Sequence, residues 1–508
     1  MIKNLLATIN QNTINDPQAV VYDNLGKQNT YADLKANSDA LAAYIDGLKI
    51  ADKTPIMVYT GQEFDTIVSF LAAVKSGHAY IPVDVNSSDE RLTDILKIAD
   101  PAAVIAVDQL PIKIADRPVI SATDLQTIFQ DPQPYEQTHA VSGDDIFYII
   151  FTSGTTGLPK GVQISSNNLL SFVNWMLDAQ FDLPQKSVTL AQAPFSFDLS
   201  VMDWAPTLAV GGQLKAVSKE LADNFKQLFE TLPKLGLQLF VSTPSFADLC
   251  LINPAFNQEN LPQLSRFLFC GEELTKKTAT ILRARFPEAK IFNTYGPTET
   301  TVAVSAIEMT DHVLESCDRL PIGYAKADTE IVIFNEQNQQ LAANQMGEII
   351  IAGASVSKGY LNNPAKTETA FFTYQGRQAY HTGDLGSLDE KGLLHYGGRK
   401  DFQIKLHGYR IELEEVSHGL MQSQLVKQAV AVPRYDENHK VAQLLAWVVA
   451  QPNDFVRTND LTKALKADLK DVMMPYMVPS RFVYKESLPI SANGKIDLKK
   501  VIAEVNNG

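Results

Sequence analysis

The sequence predicts an α/β protein with a large N-terminal domain, a small β portion within it, and a small α+β domain at the C-terminus. Its 508 residues exceed what one hydrophobic core usually holds, so we expect at least two domains. Up to Pro321, apolar strand-like runs alternate with helix-like segments, the order typical of a sheet with crossover helices. Beyond Pro321 the pattern changes to short strands and turns.

The alternation begins close to the N-terminus. Thr30 and Asp33 have the spacing of a capping box, which predicts a helix that continues through Ile45. The periodicity and β-branched content of the following segments predict strands at 56–59, 80–84, 102–107, 146–151, 237–241, 266–270 and 290–292, and helices at 64–74 and 167–177. In parallel sheets, ligands bind where the strands end.

The last part of the chain predicts two further structures. Strands at 330–334 and 347–352 and a hairpin turn at 388–392 indicate a small β subdomain. Strands at 426–432 and 444–449 and a helix at 461–469 indicate a compact α+β domain. We place the domain boundary between residues 399 and 400, so that the two domains span 1–399 and 400–508.

Composition and charge exclude several function classes. The formal net charge of -14 argues against a nucleic-acid surface or a polybasic membrane patch, since both need clustered Lys and Arg. The three cysteines, Cys250, Cys270 and Cys317, leave one unpaired in any disulfide scheme and lack metal-ligand spacing. The sequence has no signal-peptide pattern and no apolar run long enough to span a bilayer. We therefore expect a cytoplasmic protein without nucleic-acid or membrane-inserted partners.

The stretch from Tyr148 to Val162 has the composition of a phosphate-binding loop. Its glycines allow close backbone approach, its hydroxyls donate hydrogen bonds and its lysine supplies a cation; these residues are Thr152, Ser153, Gly154, Thr155, Thr156, Gly157 and Lys160. Gly161 follows Lys160 where a Walker A loop has Ser or Thr, so we expect no P-loop NTPase. The structural alternative is a simple polar turn between two strands.

Two residues are candidates for recognition of a small substrate. Asp198 lies between aromatic residues and a helix-like segment, where a carboxylate in an apolar pocket would pair with a substrate ammonium group. Alternatively, Asp198 only caps that helix, which is worth about 1 kcal/mol. Cys270 ends a predicted strand, so it is either a small core residue or the wall of a substrate pocket.

The segment from Asn293 to Val302 combines groups that suit a nucleotide. Tyr295 can stack on a base, Thr298 offers a hydroxyl to phosphate, and Glu299 offers the hard oxygen that Mg²⁺ prefers. A Gly-Pro turn before a helix cap is the alternative, but it does not explain the aromatic residue and the acid together. Further on, Asp384 can hold two ribose hydroxyls, although Thr-Gly-Asp alone is a common turn.

Near the C-terminus, Lys495 follows an Asn-Gly turn and by itself would be read as a solvated surface lysine. The context of the whole chain changes this interpretation. Six separated segments match one family in one order, namely 148–162, 194–203, 293–302, 380–385, 397–412 and 493–497. The chain resembles the adenylate-forming superfamily of acyl-CoA synthetases, luciferases and amino-acid adenylation domains.

This resemblance implies a large N-terminal domain and a small mobile C-terminal domain with Asp401 as the hinge. It implies ATP and Mg²⁺ as cofactors, Lys495 as the catalytic residue and Glu299 as the metal ligand. The ATP-binding residues that it implies are Thr152, Ser153, Gly154, Thr155, Thr156, Gly157, Lys160, Asn293, Thr294, Tyr295, Gly296, Pro297, Thr298, Asp384, Tyr396, Arg399 and Lys495.

Within the superfamily, Asp198 matches the acid that amino-acid-activating members use against the α-amino group. The chain is most similar to ligases that load D-alanine onto a carrier protein, whose phosphopantetheine thiol accepts the aminoacyl group for the D-alanylation of lipoteichoic acid. The resemblance implies Asp198, Cys270, Val302 and Lys495 as substrate-binding residues. A pocket closed by Cys270 favours a methyl side chain, because overpacking costs about 1–3 kcal/mol. Preference for D- over L-alanine does not follow from these residues.

Three other functions remain open. A stand-alone L-amino-acid adenylation enzyme fits the same motifs, and so does a short-chain acyl-CoA synthetase, although Asp198 counts against the latter. A catalytically silent nucleotide-binding protein on this fold is the third, and Lys495, Glu299 and the complete 152–160 loop count against it.

Overall fold

The computed structural model of the chain describes residues 1–132, 135–153, 158–437, 440–470, 472–489 and 496–507. Its contacts form two compact units. The first unit comprises Met1–Val85, Ala99–Ile150 and Gly161–Gly398, and the second comprises Asn86–Ile98, Phe151–Lys160 and Arg399–Gly508. No helix within the described ranges is both long enough and apolar enough to cross a membrane.

The elements up to residue 216 alternate between strands and helices. The strands are β1 Val20–Asn24, β2 Lys27–Thr30, β3 Ile56–Thr60, β4 Tyr80–Asp84, β5 Ala103–Ala106, β6 Val119–Ile120, β7 Ile146–Thr152, β8 Lys160–Ser165, β9 Val188–Ala191 and β10 Gln213–Ala216. The helices are α1 Leu5–Asn15, α2 Tyr31–Gly47, α3 Phe64–Lys75, α4 Asp89–Ala99, α5 Ala122–Gln130, α6 Ser166–Met176 and α7 Leu199–Ala209.

The remaining elements become richer in strand after residue 320. The strands are β11 Leu239–Ser242, β12 Arg266–Phe269, β13 Lys290–Tyr295, β14 Ser305–Glu308, β15 Tyr324–Ala325, β16 Thr329–Phe334, β17 Gly347–Gly353, β18 Phe371–Tyr374, β19 Arg377–Leu388, β20 Leu394–Arg399, β21 Gln403–Leu406, β22 Tyr409–Glu412, β23 Val426–Tyr435, β24 Val441–Ala450 and β25 Arg481–Tyr484. The helices are α8 Lys219–Asp223, α9 Phe225–Thr231, α10 Pro244–Leu251, α11 Lys276–Arg285, α12 Asp311–Ser316, α13 Pro364–Ala370, α14 Leu413–Gln422, α15 Thr458–Leu469 and α16 Leu498–Asn507.

Two large sheets dominate the first unit. One has the strand order β6-β5-β3-β4-β7-β8, and its pairs from β6 to β7 are parallel. The other has the order β15-β14-β13-β12-β11-β9-β10-β1-β2 and is parallel from β13 to β1. Strands buried on both faces need apolar residues throughout, which explains the continuous hydrophobic runs in the sequence. The carboxyl ends of β12 and β13 deliver Cys270 and Tyr295 to neighbouring positions.

The β subdomain of the first unit is an antiparallel sheet in the order β16-β17-β19-β18, with β20 paired to β19. The predicted turn at 388–392 joins β19 to β20. It is closed by a hydrogen bond from the Gly392 amide to the Asp389 carbonyl at 3.0 Å. Asp384 lies in β19 and is buried. Asp384 therefore lies at an irregularity of this sheet, where the register of β17 and β19 shifts and Gly383 has a φ of +69°.

The second unit contains a β21–β22 hairpin and a three-stranded sheet in the order β23-β24-β25. Helices α14 and α15 contribute apolar residues to one core with these strands, including Val416, Leu420 and Leu465. By its contacts, this unit also includes two segments from the N-terminal part of the sequence, 86–98 and 151–160. The domain boundary between residues 399 and 400 remains a prediction.

Most predicted elements are present with ends shifted by one to three residues. The Thr30 capping box is confirmed, since the Thr30 side chain accepts from the Asp33 amide and the Asp33 side chain accepts from the Thr30 amide. The predicted strand at 426–432 is longer, because its partner β24 pairs with it as far as Tyr435. The short helices α8, α9 and α10 were not predicted, and they pack against Phe- and Leu-rich strands in a separate core.

Candidate functional site

Tyr295 ends β13 and is fixed by a carboxylate of the β subdomain. Its hydroxyl donates to Asp384 Oδ2 at 2.6 Å, and both residues are buried. Burial, followed by the charge of Asp384, raises the pKa of the Tyr295 phenol, so the hydroxyl stays a donor at neutral pH. The two predicted nucleotide-binding residues are therefore brought into direct contact.

A second aromatic ring lies next to Tyr295. The centroid of the Tyr396 ring is 6.4 Å from that of Tyr295, and the guanidinium carbon of Arg319 lies 5.0 Å from the Tyr396 centroid. Arg319 in turn forms two hydrogen bonds to Glu273, at 2.8 and 2.6 Å. Tyr396 was predicted, but Arg319 and Glu273 were not, because nothing in their local sequence marks a pair separated by 46 residues.

Asn293 and Thr294 use their side chains for the fold. The Asn293 amide donates to the Pro321 carbonyl at 2.9 Å, and the Thr294 hydroxyl donates to the Phe269 carbonyl at 2.8 Å. Gly296 follows them, and a Cβ atom there would lie 2.6 Å from Ala303 Cα. Only glycine fits at this position without movement of the backbone. These residues shape the turn that leads through Pro297 and Thr298 to Glu299.

Glu299 is completely buried in a 3₁₀ turn, Thr298–Thr300. The hydroxyl of Tyr360 donates to Glu299 Oε1 at 2.9 Å, and the Ser357 amide donates to the Glu299 carbonyl at 2.9 Å. Within the described ranges, no three His, Cys, Asp or Glu side chains cluster as a metal site. A single fixed carboxylate still suits Mg²⁺, which commonly combines one or two carboxylates with phosphate oxygens and water.

The loop after Glu299 has an unusual backbone. Thr301 and Val302 have φ values of +63° and +66°, a conformation that is rare for β-branched residues. The Thr301 hydroxyl donates to the Ser355 carbonyl at 2.7 Å, and the Cys270 thiol lies 3.6 Å from the Val302 carbonyl as a weak donor. These contacts hold the strained loop and bring together Cys270 and Val302, two of the predicted substrate-binding residues.

Asp198 occupies the N-cap position of α7, but its side chain makes no capping hydrogen bond. The alternative role of Asp198 as a simple helix cap therefore loses its support. After burial, the charge of Asp198 is the next cause that raises the pKa of Tyr148. The Tyr148 hydroxyl is buried and has no hydrogen-bond partner among the described residues. Asp198 is half-buried and lies close enough to the buried Tyr148 hydroxyl to interact with it electrostatically.

The described ends of the predicted phosphate loop belong to the second unit. The Ser153 hydroxyl donates to the Arg410 carbonyl at 2.8 Å, and the buried Thr152 hydroxyl has no hydrogen-bond partner within the described ranges. Burial raises the pKa of Glu412, and the charges of Arg410 and Lys160 oppose this shift. Lys160 therefore lies close enough to Glu412 to interact with it electrostatically.

Arg399 and Asp401 form an ion pair at the start of the second unit's C-terminal segment. The Arg399 guanidinium donates to both carboxylate oxygens of Asp401, at 2.9 and 2.7 Å. Partial burial raises the pKa of Asp401, but hydrogen bonds and charge from Arg399 outweigh it, so the pKa lies below its usual value. The predicted ribose ligand Arg399 and the predicted hinge Asp401 are thus direct partners.

Five predicted site residues lie outside the described residues: Gly154, Thr155, Thr156, Gly157 and Lys495. Their roles stay predictions.

Comparison with known families identifies the group to which these features belong. The sequence profile described as "AMP-binding enzyme" matches residues 9–361, more than half of the chain, and that described as "AMP-binding enzyme C-terminal domain" matches residues 415–495. The chain belongs to the AMP-binding enzyme family. The resemblance to adenylate-forming enzymes that the sequence motifs indicated is confirmed.

Several AMP-binding enzymes are similar to this one over their full length. The D-alanine--D-alanyl carrier protein ligase of Lactiplantibacillus plantarum is 59% identical over 506 residues, which cover 100% of both chains. Ligases of the same name from Streptococcus agalactiae and Streptococcus pyogenes are each 54% identical, again over 100% of both chains. The predicted subgroup of the family is therefore confirmed.

Solved structures of AMP-binding enzymes share the fold. An artificially fused adenylation-PCP di-domain from Klebsiella oxytoca superposes with a TM-score of 0.81 at 23% identity and covers 95% of this chain and 94% of its own. The Vibrio cholerae adenylation domain AlmE, solved with glycyl-adenosine-5'-phosphate, gives 0.80 at 23% identity and covers 99% and 96%. The predicted adenylate-forming α/β fold is thereby confirmed.

Proposed function

We propose that this AMP-binding enzyme activates D-alanine with ATP as D-alanyl-adenylate and transfers the D-alanyl group to a carrier protein. The full-length identity to ligases named for this reaction carries the proposal. The arrangement of the first unit supports it, because Cys270 and Val302 meet at a strained loop and Asp198 lies at the start of α7. A small amino acid needs small or apolar residues around its side chain and an acid for its ammonium group.

In the first step, a carboxylate oxygen of D-alanine attacks the α-phosphorus of ATP. A bond forms between that oxygen and phosphorus, and the bond from phosphorus to the bridging oxygen breaks, so that pyrophosphate leaves with the electron pair. Negative charge gathers around the α-phosphate, and Lys495 is our candidate for the cation that stabilises it. Asp198 would pair with the ammonium group and orient the attacking carboxylate.

The first unit has groups that suit the nucleoside of ATP. Tyr295 and Tyr396 offer aromatic faces to the adenine, and Asp384 offers carboxylate oxygens to the ribose hydroxyls. Arg399 would add a donor on the ribose side. Because the Tyr295 hydroxyl already donates to Asp384, ring and carboxylate hold each other in position before the nucleotide binds.

The 152–160 loop would hold the β- and γ-phosphates. The buried Thr152 hydroxyl supports this assignment, because it has no hydrogen-bond partner in the described part of the chain and a phosphate oxygen would supply one. Glu299, fixed by Tyr360, would hold Mg²⁺, which when bound neutralises charge on the phosphates.

In the second step, the thiol of a carrier's phosphopantetheine arm attacks the carbonyl carbon of D-alanyl-adenylate. A thioester bond forms, the bond from carbon to the phosphate oxygen breaks, AMP leaves, and the thiol proton is released. We propose that the small C-terminal domain moves about Asp401 between the two steps. We also propose that the enzyme acts in the cytoplasm and that its product serves the D-alanylation of lipoteichoic acid.

ATP–pyrophosphate exchange with single substrates tests the proposal. We expect the fastest exchange with D-alanine and slower exchange with L-alanine, glycine, propionate and acetate. Exchange supported best by propionate would contradict an amino-acid substrate, and exchange supported best by L-alanine would indicate a stand-alone L-amino-acid adenylation enzyme. Nucleotide binding without exchange for any substrate would indicate a catalytically silent protein.

Asp198→Asn adds a matched test of amine recognition. The substitution keeps size and polarity but removes the charge that would pair with the ammonium group. We expect the KM for D-alanine to rise about 30-fold or more, since loss of one partner of a hydrogen-bonded buried charge pair costs about 2–5 kcal/mol. The KM for ATP should change little, and an equal rise in both constants would argue against this role.

A further inference from the structure

The antiparallel sheet of the β subdomain has a break in its regular pairing at Asp384. The pairs of β17 and β19 that flank the break are Glu348 with Leu385 and Ile350 with His381. Three residues of β19, 382–384, therefore lie opposite the single residue Ile349, which makes a bulge in β19. Bulges occur next to ligand sites, where they redirect a side chain. Asp384, which we propose as a ribose ligand, is the last residue of this bulge.

Two side chains bind the backbone of the bulge. Glu348 Oε1 accepts from the Gly383 amide at 3.1 Å, and the Thr382 hydroxyl accepts from the Asp384 amide at 3.0 Å. The Thr382 hydroxyl also donates to the Ile349 carbonyl at 2.7 Å. Gly383 has a φ of +69°, which glycine adopts without a steric cost. The contact from Glu348 therefore ties a bulge of defined shape to the neighbouring strand.

The Glu348 carboxylate is held in place for this contact. Its side chain is 12% exposed, and His381 Nδ1 lies 3.5 Å from Glu348 Oε1. The His381 ring packs against Phe372, with centroids 4.6 Å apart. A largely buried carboxylate needs hydrogen-bond donors, and its bond to an amide is stronger than a bond between neutral groups. Loss of the Glu348 oxygen should therefore loosen the bulge.

The carboxylate of Asp384 is held from the other side by the large sheet. The Tyr295 hydroxyl, at the end of β13, donates to Asp384 Oδ2 at 2.6 Å. The bulge sets the position of the Asp384 backbone, and Tyr295 sets the position of one carboxylate oxygen. The direction of the carboxylate thus depends on both contacts, and a shifted bulge would move it away from its proposed partners.

We propose that Glu348 is a positioning residue for nucleotide recognition: through the Gly383 amide it holds the bulge that presents the Asp384 carboxylate to the ribose hydroxyls. This inference rests on the proposed function, because it assigns a task beside the proposed ribose site. Glu348 acts on the ribose only through Asp384. A nucleotide without ribose hydroxyls should therefore bind equally well with or without the Glu348 contact.

Two substitutions and two nucleotides test this role. Glu348→Gln keeps an oxygen that accepts from the Gly383 amide, whereas Glu348→Met has a similar length and lacks this oxygen. The KM for ATP and the KM for dideoxy-ATP, which lacks both ribose hydroxyls, are measured by pyrophosphate exchange with D-alanine. Dideoxy-ATP keeps the base and the phosphates but offers no hydroxyl to Asp384. A general effect on the β subdomain would weaken both nucleotides together.

We expect Glu348→Met to raise the KM for ATP about tenfold, as for the loss of one good hydrogen bond, and to leave the KM for dideoxy-ATP within about twofold. Glu348→Gln should stay within about threefold of the wild type for both nucleotides. The proposal is overturned if Glu348→Met raises both constants together, if Gln is as harmful as Met, or if Met leaves the KM for ATP unchanged.

Glu330→Met is the matched control. Glu330 is an acid of β16 in the same sheet, and its carboxylate lies 3.8 Å from the Arg377 guanidinium. The substitution should leave both constants unchanged, and an effect equal to that of Glu348→Met overturns the proposal. If Glu348→Met does not fold, Glu348→Asp decides, because it keeps the charge but is one methylene shorter and withdraws from the Gly383 amide. It should raise only the KM for ATP, and any other pattern overturns the proposal.

The wild-type measurement keeps the two proposals apart. If the wild type shows no exchange with D-alanine, the proposed function fails, and calorimetric binding of AMP and dideoxy-AMP, which needs no amino acid, then tests Glu348 with the same variants. If the wild type exchanges with D-alanine but has equal KM values for ATP and dideoxy-ATP, or if the variants do not separate the two nucleotides, only the role of Glu348 fails.

Discussion

Carboxylates of the two units are held in different ways. In the first unit, Glu299 is 0% exposed and Asp384 is 2% exposed, and each accepts a hydrogen bond from a buried tyrosine that is distant in sequence. In the second unit, the Asp401 side chain is 44% exposed and pairs with Arg399, two residues before it. The first arrangement needs the whole fold, whereas the second needs only a local turn.

The difference matches the tasks that we propose for the two regions. A nucleotide and a metal ion require ligands at fixed distances, and buried charge-assisted hydrogen bonds supply that fixed geometry. A hinge must let backbone angles change, and an ion pair between two residues that are neighbours in the sequence constrains the backbone only locally. Substitutions in the first unit should therefore weaken binding, and substitutions at the junction should slow the step that needs movement.

The largest effect is expected from Lys495→Ala, which tests whether the C-terminal segment also contributes to chemistry. Loss of a preorganised cation at the α-phosphate should slow adenylate formation about 100- to 1,000-fold. Thiol transfer from supplied D-alanyl-adenylate should remain close to wild type, because that step does not attack phosphorus. Single-turnover measurements of both half-reactions check this.

Lys499→Ala is the control for this prediction, since Lys499 is an exposed lysine four residues further on. It should leave both half-reactions unchanged. Equal loss of adenylation and transfer in Lys495→Ala would show that the lysine acts on folding or on general binding.

Asp401→Pro tests the junction itself. Proline fixes φ and removes the Asp401 carboxylate, which now accepts from Arg399 and from the Gln403 amide at 3.2 Å. If the backbone at residue 401 must rotate between steps, transfer should slow about 10- to 100-fold, because a misplacement of about 1 Å can cost about 100-fold. Adenylate formation should slow less.

Asp454→Pro, in the exposed segment between β24 and α15, is the matched proline control. It should affect neither half-reaction. If Asp401→Pro transfers the D-alanyl group as fast as the wild type, residue 401 is not the hinge. The proposed difference in function between the buried acids and the Arg399–Asp401 pair would then be contradicted.

Tyr360→Phe tests the fixed geometry of the first unit and should have a smaller effect. It removes the hydroxyl that donates to Glu299 at 2.9 Å. A hydrogen bond to a charged group contributes about 1.5–3 kcal/mol, and from the lower end of this range we expect the Mg²⁺ concentration for half-maximal exchange to rise about tenfold. The KM for D-alanine should not change. Tyr374→Phe is the control, because it removes a tyrosine hydroxyl of β18 that bonds to Gln340 at 3.0 Å, and it should alter neither constant. An equal rise in the Mg²⁺ requirement of both variants would contradict the assignment.

The sequence predicted the elements better than the contacts between them. Hydrophobic period and capping residues are local, so the strand before the 152–160 loop and the helix after Thr30 could be placed from the residues alone. The partner of Glu299 could not, because Tyr360 lies 61 residues away in the sequence and only the tertiary fold brings its hydroxyl to the carboxylate.

The residue types in a motif also did not predict what each side chain contacts. Asn293 and Thr294 belong to a nucleotide-binding motif, yet their side chains bond to backbone carbonyls. The positive φ of Val302 has no signal in the sequence, since β-branched residues rarely adopt it. Asp203 lies within the 194–203 motif, but only the tertiary structure reveals that it is buried.

The smallest expected effect concerns stability and sharpens the contrast between buried and exposed acids. Asp203 has a raised pKa in the folded chain, while in the unfolded chain it ionises near 3.8. As the pH rises above 3.8, the unfolded chain releases this proton first, so Asp203 lowers the free energy of unfolding by about 1.4 kcal/mol per pH unit until the folded-state pKa is reached. Asp203→Asn cannot titrate. The unfolding temperature of Asp203→Asn minus that of the wild type should therefore increase as the pH rises above 4.5, by roughly 1–2 °C per pH unit for a chain of this size, until the folded-state pKa is reached. Calorimetry at several pH values gives this difference, and a difference that stays constant or falls would show that the carboxyl ionises in the folded protein.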